Sequence, residues 1–417
     1  MDIITLEDTV LKKPFNVHIM EAKMELTVAR RGADCIKTVK SPSAVHRYIL
    51  TAYAVLFFIA IAAMFPAGRA GACSSFLLVR GDTLLAGHNL DENIAEIPGL
   101  VVVNPRGISK TGIGWNSLVN PLARVKPTFA WVSKYGSLTY SAFGKEFPDG
   151  GLNEAGLYVG EMNYYYTEYP VDKTLIRLYH NQWIQYLLDN FETVDQVLAD
   201  LKRVVPDGHN RWQFFVADAK GRAAAISFYK GKPVINTGDS LPVKALCNRR
   251  YTREMDSLKS YAGYGGSRAV DYRDTSYDRR FVWAAEMLRK QNSKIPAGSY
   301  AFSILRQLDT GNNKWSLVYD IRNRRVSFNT NRSRTGRWTD LASFDLSGKS
   351  PAMVLDINRS LEGDVAKMFT PFSEAVQKEY VAKVWDGLDP GFWGNLLFKP
   401  VMKSRMVSYI RDFGPAK

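Results

Sequence analysis

Three pairs of apolar segments, each joined by a short turn, constrain the fold of this chain most strongly. The first pair is SSFLLV and TLLAGH, joined by RGD at residues 80–82. Two further pairs lie at residues 212–236 and 314–330, where the turns are AKG and IRN. Apolar runs of this length on either side of a Gly, Asp or Asn turn are typical of β-hairpins. Because a hairpin joins antiparallel strands, the three pairs predict antiparallel sheets.

Helical patterns fill the chain between and after these hairpins. The predicted helices are TLIRLYHNQWIQYLLDNF at 174–191, TVDQVLADLKRV with Thr193 as its N-cap, DRRFVWAAEMLRKQ, SYAFSILRQLD, and a last stretch around EAVQKEYVAKVWDGL. Strands grouped in hairpins and helices in separate blocks favour an α+β layered fold over a doubly wound parallel sheet.

The first part of the chain has the features of a secretory leader. An uncharged apolar run extends from Tyr48 to Phe65, follows the basic residue Arg47, and is succeeded by Ala70-Gly71-Ala72. A basic flank, an apolar core and a small-x-small motif predict cleavage by signal peptidase after Ala72. We therefore expect residues 1–72 to be a leader and the mature protein to be exported, periplasmic or extracellular. The apolar run is nearly long enough to cross a membrane, so an uncleaved anchor is the alternative.

The charge of the chain is basic, with 55 Lys and Arg against 41 Asp and Glu and a net charge of +14. The excess is spread along the chain, and its densest run holds six arginines between Arg322 and Arg337. We interpret this run as a solvated cationic face. Because no motif of a known nucleic-acid-binding module is present, we expect no nucleic-acid partner.

Cysteine and histidine are scarce. Of the three cysteines, Cys35 lies in the leader, which leaves Cys73 and Cys247. Exported proteins often use such a pair as a disulfide, but a chain of this length buries an ample core without one. The histidines after the leader have no spacing typical of metal ligands. The sequence therefore predicts no metal site and no other cofactor.

Cleavage after Ala72 would make Cys73 the first residue of the mature chain. A free α-amine has a pKa near 8 and lies within reach of its own thiol, so it can accept the thiol proton. A thiol in the interior of a chain needs a separate base for the same purpose. The predicted cleavage thus indicates an N-terminal nucleophile enzyme.

Four segments carry a resemblance to a known family: CSSF…GHNLDEN, SKYGSLTYSAFGKEFPDGGLNEAGLYVGEMNYYYTEYP, ALCNRRYT and SYDRRFVWA. They resemble the linear amide C–N hydrolases, the choloylglycine hydrolase family of penicillin V acylases and conjugated bile acid hydrolases. The resemblance covers about residues 73–372 and implies a four-layer αββα sandwich with two antiparallel sheets. It also implies hydrolysis of a linear amide bond in a small acyl-amide substrate and assembly into homo-oligomers. Residues 373–417 then form a C-terminal helical appendage.

The resemblance assigns roles to five residues. Cys73 is the nucleophile, and Asp91 is the carboxylate that orients its α-amine. The backbone N–H of Asn163 and the side-chain amide of Asn248 would donate to the tetrahedral oxygen, as in an oxyanion hole. Arg280 would neutralise the site and favour the thiolate.

Two positions depart from the family pattern. His88 stands where the family usually has arginine, so we expect it either to add pH sensitivity near the sulfur or to fill the pocket wall. Glu92 follows Asp91, where acylases tend to have an aromatic residue that lines the acyl pocket. Tyr164 and Tyr166 are candidate substrate-binding residues, because alternate side chains of a strand share a face.

A rival interpretation is a membrane-anchored or lipidated protein of the same fold without catalytic activity. The segment AGAC vaguely resembles a lipoprotein signal, in which lipidation of Cys73 would block its amine. Against this, Ala70 stands where a lipoprotein signal usually has leucine, and SSFLLV enters a strand without a polar tether.

Overall fold

Two large sheets form the frame of the protein. The structure, a computed structural model, describes residues 73–120, 127–274, 279–389, 391–411 and 413–416. The predicted leader, residues 1–72, lies outside the described residues. No helix within the described ranges is both long and apolar enough to cross a membrane.

The strands in chain order are β1 (Ser74–Arg80), β2 (Thr83–Asp91), β3 (Leu100–Asn104), β4 (Ile108–Thr111), β5 (Ala130–Val132), β6 (Ser137–Ser141), β7 (Gly150–Asn153), β8 (Tyr158–Asn163), β9 (Ile176–Tyr179), β10 (Val204–Asp207), β11 (Trp212–Ala217), β12 (Ala223–Tyr229), β13 (Lys232–Thr237), β14 (Ala245–Leu246), β15 (Asn313–Asp320), β16 (Arg325–Thr330), β17 (Arg337–Asp340), β18 (Met353–Asp356), β19 (Gly363–Asp364), β20 (Thr370–Pro371) and β21 (Gly414–Pro415). The α-helices are α1 (Trp115–Val119), α2 (His180–Asn190), α3 (Val194–Asp200), α4 (Tyr251–Leu258), α5 (Arg280–Arg289), α6 (Ala297–Leu308), α7 (Glu374–Gly387), the short turn α8 (Gly391–Trp393) and α9 (Lys399–Ser408).

One sheet has seven strands in the order β14-β1-β2-β15-β16-β17-β19, and the other has nine in the order β13-β12-β11-β8-β7-β6-β3-β18-β20. All pairs in the larger sheet are antiparallel, and the smaller sheet is antiparallel except for its edge pair β17 and β19. The three predicted hairpins are confirmed as β1/β2, β11/β12/β13 and β15/β16. In the first, Gly81 takes a positive φ of 56° at the turn, which favours glycine.

Side-chain alternation divides the nine-stranded sheet into two buried faces. On one face, Val159 and Phe214 pack with Trp183 of α2. On the other face, Tyr158 and Phe215 join the core that also contains β1 and β15. Residues of α5 and α6 belong to that same core and contact the seven-stranded sheet. The order of layers is helix, sheet, sheet and helix, so the predicted αββα sandwich of the α+β class is confirmed.

One helix begins later than its pattern predicts. Residues 176–179 form strand β9 and pair in parallel with β10, and α2 begins only at His180. The apolar spacing is compatible with either element, and the partner strand at residues 204–207 decides between them. The following helix begins as predicted, since Thr193 and Gln196 form a capping box.

The arginine-rich run is only partly a solvated face, which corrects its interpretation. Arg337 is fully buried and donates to the carbonyl oxygens of Ile357 and Arg359, at 2.6 and 2.8 Å. Arg324 donates to the carbonyl oxygen of Glu154 at 2.9 Å. Both guanidinium groups donate to backbone carbonyl oxygens that are not paired between strands. The two arginines therefore stabilise the fold.

The C-terminal helices pack onto the rest of the protein. Trp385 and Met402 share a core cluster with Ile113 and Phe147. Gln377 of α7 is fully buried, accepts a hydrogen bond from the Lys145 backbone N–H at 2.8 Å, and donates to the Met406 carbonyl at 3.2 Å. The segment is helical, as predicted, whereas the domain boundary at residues 372/373 stays a prediction.

Candidate active site

Cys73 lies directly before β1, at the end of the central strands. Its side chain is 2% exposed, and its Sγ lies 3.8 Å from the backbone oxygen of Asp91 and 3.9 Å from Oε1 of Glu161. Burial raises the pKa of the thiol well above its usual value, and Glu161 or Asp91 raises it further whenever its carboxyl is ionised. The thiol is therefore protonated at rest, so a base must take its proton during nucleophilic attack. Cys73 and Cys247 are both free thiols, with no disulfide between them.

Asp91, the last residue of β2, is fully buried beside Cys73. Its Oδ1 accepts a hydrogen bond from Nδ2 of Asn313 at 3.1 Å, and its Oδ2 lies 3.4 Å from Nη1 of Arg280. Burial raises the pKa of the carboxyl to about 7, although Arg280 and Asn313 both act to lower it. This carboxyl thus changes its charge close to neutral pH.

Arg280 opens α5 and connects three parts of the site. Its fully buried guanidinium donates to the carbonyl oxygen of Cys73 at 3.2 Å, to Oγ of Ser74 at 2.9 Å, and to Oδ1 of Asn248. Arg280 contacts the backbone of Cys73 and the carboxyl of Asp91, and its effect on the thiolate stays a prediction. The neighbouring Arg279 points away and pairs with Asp274 at 2.7 Å.

The two asparagines assigned to the oxyanion hole contact each other. Asn163 ends β8, and the Nδ2 of Asn248 donates to its backbone oxygen at 2.8 Å. Since Oδ1 of Asn248 accepts from Arg280, the two ends of this amide are fixed by an acceptor and a donor. The orientation of the Asn248 side chain is therefore set before any substrate binds.

His88 contacts the polar interior of the site rather than the sulfur. It is fully buried, its Nδ1 lies 2.8 Å from Oγ of Ser75, and that oxygen lies 3.1 Å from the Tyr158 hydroxyl. Burial lowers the pKa of the imidazole to about 3, so His88 is neutral in the physiological range. Of the two alternatives for His88, its burial and neutral form favour a place in the pocket wall over pH sensitivity near the sulfur.

The three consecutive tyrosines do not alternate along a strand, because β8 ends at Asn163 and Tyr165 and Tyr166 form a turn. Tyr164 is 7% exposed, whereas Tyr165 and Tyr166 are each 57% exposed. The strand alternation expected for Tyr164 and Tyr166 is thus absent, and their role in substrate binding stays a prediction. Glu92 is half-buried next to Asp91, and burial raises the pKa of its carboxyl.

Three residues of the site were not identified from the sequence: Ser74, Glu161 and Asn313. Glu161 offered a signal, because it is the one charged residue in the otherwise uncharged strand YVGEMN. Acidic residues are rarely fully buried, so a glutamate in such a strand points to a functional site. Ser74 and Asn313 offered none, since their roles depend on contacts between distant strands.

Comparisons with known proteins find relatives of this chain in sequence and in fold. The model of the linear amide C–N hydrolases, choloylglycine hydrolase family, matches residues 73–263. Penicillin V acylase of Pectobacterium atrosepticum is 26% identical over 291 residues, which are 58% of this chain and 77% of that protein.

Solved structures share the fold. Penicillin V acylase from Agrobacterium tumefaciens superposes with a TM-score of 0.59 at 21% identity, covering 72% of this chain and 98% of that one. A variant of conjugated bile acid hydrolase from Clostridium perfringens superposes with a TM-score of 0.55 at 15% identity, covering 70% and 98%. Over residues 73–263 the chain is therefore similar to the linear amide C–N hydrolases of the choloylglycine hydrolase family, the family that its motifs resemble.

Proposed function

We propose that the protein is an exported N-terminal cysteine amidohydrolase, which cleaves its substrate through an acyl-enzyme on Cys73. The similarity to this family supports the coarser activity, hydrolysis of a linear amide C–N bond in a small molecule. The observation that carries the finer proposal is the set of contacts made by the guanidinium group of Arg280. It joins the backbone of Cys73, the carboxylate of Asp91 and the amide of Asn248, which are far apart in the sequence.

The proposed reaction begins with the protonated thiol. The α-amine of the mature N-terminus accepts the thiol proton while Sγ of Cys73 attacks the amide carbon, and the carbonyl electrons move onto oxygen. Asp91, beside Cys73, orients the amine. Amide donors held at Asn163 and Asn248 stabilise the oxyanion, an effect worth about 2.7–4 kcal/mol per donor in such sites.

The intermediate then collapses in two stages. The C–N bond breaks as the ammonium returns a proton to the leaving nitrogen, which leaves a thioester on Cys73. A water molecule, deprotonated by the same amine, attacks the thioester carbon. The C–S bond then breaks, the acid leaves, and the ammonium returns the proton to the sulfur of Cys73. Candidate substrates are N-acyl amino acids, N-acyl homoserine lactones, cell-wall peptides, and compounds similar to penicillin V or to bile-acid conjugates.

The first experiment determines the mature N-terminus of protein exported by its host, by intact mass and N-terminal sequencing. We expect a chain that begins with Cys73 and has a free amine. Retention of the apolar segment, or a lipid on Cys73, would support the rival non-catalytic protein and refute the proposal.

Two variants then test the chemistry on a panel of acyl amides. Cys73→Ala should fold and bind but show no turnover. Asn248→Ala should lower kcat by about 10²–10³ with little change in KM, because the oxyanion exists only after attack. Substantial turnover by Cys73→Ala would refute the mechanism.

A further inference from the structure

Glu161 is the second acidic group at the sulfur, and its position is unusual. It lies on β8, two residues before Asn163, and is 2% exposed. At rest its Oε1 accepts a weak hydrogen bond from the thiol of Cys73 at 3.9 Å, and its Oε2 has no hydrogen-bond partner among the described residues. A buried carboxyl oxygen without a partner costs free energy, so its retention at the nucleophile calls for a functional explanation.

The surroundings of Glu161 oppose a negative charge. Asp149 directly precedes β7, whose Gly150 lies opposite Gly160, so the two acids stand on neighbouring strands. Burial has the largest effect and raises the pKa of Glu161, Asp149 and Glu92 raise it further, and the hydrogen bond from the Cys73 thiol is a smaller effect that lowers it. Burial also raises the pKa of Asp149 itself to about 7.

The other titratable groups around Glu161 supply no compensating charge. Besides Cys73, they are the tyrosines Tyr140, Tyr158 and Tyr169, whose own pKa values are raised by burial. Within the described ranges, no ion pair involves Glu161. The neutral carboxylic acid is therefore the favoured form of this group.

We propose that Glu161 is a further catalytic residue, a neutral carboxylic acid that donates its O–H to the sulfur of Cys73 whenever negative charge develops there. The role rests on the proposed function, because it requires Cys73 to be the nucleophile. Charge develops on Sγ twice, once as the thiol loses its proton during attack and again when the thioester intermediate expels the thiolate. In both steps the proton stays on Glu161, so no net transfer is required. An ionised Glu161 would instead repel the thiolate.

Ionisation of Glu161 should make Cys73 less reactive at alkaline pH. As the pH rises through the elevated pKa of Glu161, the donor is lost and a negative charge appears beside the sulfur. Thiolate formation at Cys73 is then suppressed, although alkaline pH normally promotes it. Glu161→Gln retains an N–H donor of similar size and cannot ionise, so it removes this suppression.

The test compares the wild type with Glu161→Gln in the full-length mature protein. Alkylation of Cys73 by iodoacetamide is followed by peptide mass spectrometry, which separates Cys73 from Cys247. The ratio of the alkylation rate at about pH 9 to that at about pH 6 should be roughly tenfold higher in Glu161→Gln, because one pKa unit of the thiol changes its thiolate fraction about tenfold. Glu168→Gln, an exposed acid on the loop after β8, is the matched control and should leave this ratio unchanged.

A second measurement follows kcat/KM against pH for an accepted acyl amide. The alkaline fall of the wild type should be absent in Glu161→Gln, and Glu161→Leu, which cannot donate, should lower kcat about tenfold or more. Identical alkylation ratios for the wild type and Glu161→Gln would overturn the proposal, as would complete loss of turnover in Glu161→Gln, which would assign an ionised base. Alkylation needs no substrate, so it decides the role of Glu161 even if Cys73→Ala turns out to be active and the proposed function fails.

Discussion

Replacement of Arg280 by methionine should destabilise the protein in a pH-dependent way. The guanidinium is fully buried and contacts Cys73, Ser74, Asp91 and Asn248. Removal of one partner of a buried ion pair typically costs about 3–5 kcal/mol, because the other group must either keep an unpaired buried charge or become neutral.

The pH dependence follows from the carboxyl of Asp91. Its folded-state pKa of about 7 lies above its ordinary value of 3.8, so this group favours the folded state at low pH, and that contribution is lost as the pH rises towards 7. In the wild type at about pH 8, ionisation of Asp91 beside Arg280 recovers about 1.4 kcal/mol, the equivalent of one pKa unit. Without Arg280 the pKa rises further and this recovery is lost. At about pH 5 the carboxyl is neutral in both proteins.

We therefore expect Arg280→Met to lose about 3–5 kcal/mol of unfolding free energy at pH 8 and about 1.4 kcal/mol less at pH 5. The assay is urea unfolding followed by tryptophan fluorescence at both pH values. Arg279→Met, which breaks a partly exposed pair with Asp274, is the matched control and should cost under about 1 kcal/mol. An equal loss for Arg280→Met at both pH values would refute the coupling of Arg280 to Asp91.

Two further predictions concern the frame of the site. In Gly87→Ala, the added Cβ would lie 2.2–2.9 Å from ring atoms of Phe76 on the paired strand, so thermal unfolding should show a loss of about 1–3 kcal/mol. Gly298→Ala in α6 meets no atom within 4 Å and should be neutral or stabilising, which makes it the control. Thr193→Ala removes the N-cap of α3 and should cost about 1 kcal/mol in the same assay, and an unchanged midpoint would contradict the capping role.

The local features of the fold were predictable from the sequence, because they depend on neighbouring residues. The hairpin around Gly81 and the cap at Thr193 each require only a few consecutive residues of the right type. The local pattern at residues 176–179 predicts a helix, whereas the segment is a strand because its parallel partner lies at residues 204–207. The solvated interpretation of Arg337 failed for a similar reason, as its carbonyl partners at 357 and 359 are distant in the chain.

The candidate site was partly predictable, through the motifs around Cys73, Asp91, Asn248 and Arg280. The motifs did not show how these side chains change one another's pKa values. The raised pKa of the Cys73 thiol arises from burial and from Glu161, which is 88 residues away along the chain. Such effects depend on the three-dimensional packing of strands, so a pattern of residue types does not reveal them.

The hydrogen bonds of the buried Gln377 side chain limit the order in which parts of the chain can fold during synthesis. This side chain bonds to backbone groups at Phe143 and Lys145, in the loop that leads to Asp149 and strand β7, although 232 residues separate Gln377 from Lys145. Strand β2 likewise pairs with β15, whose residues are synthesised more than 220 positions later, so this pairing cannot form before then. Contacts this distant form late, after most of the chain has left the ribosome. A nascent chain that is released early would thus contain Cys73 but lack β15 and the C-terminal helix that complete its surroundings.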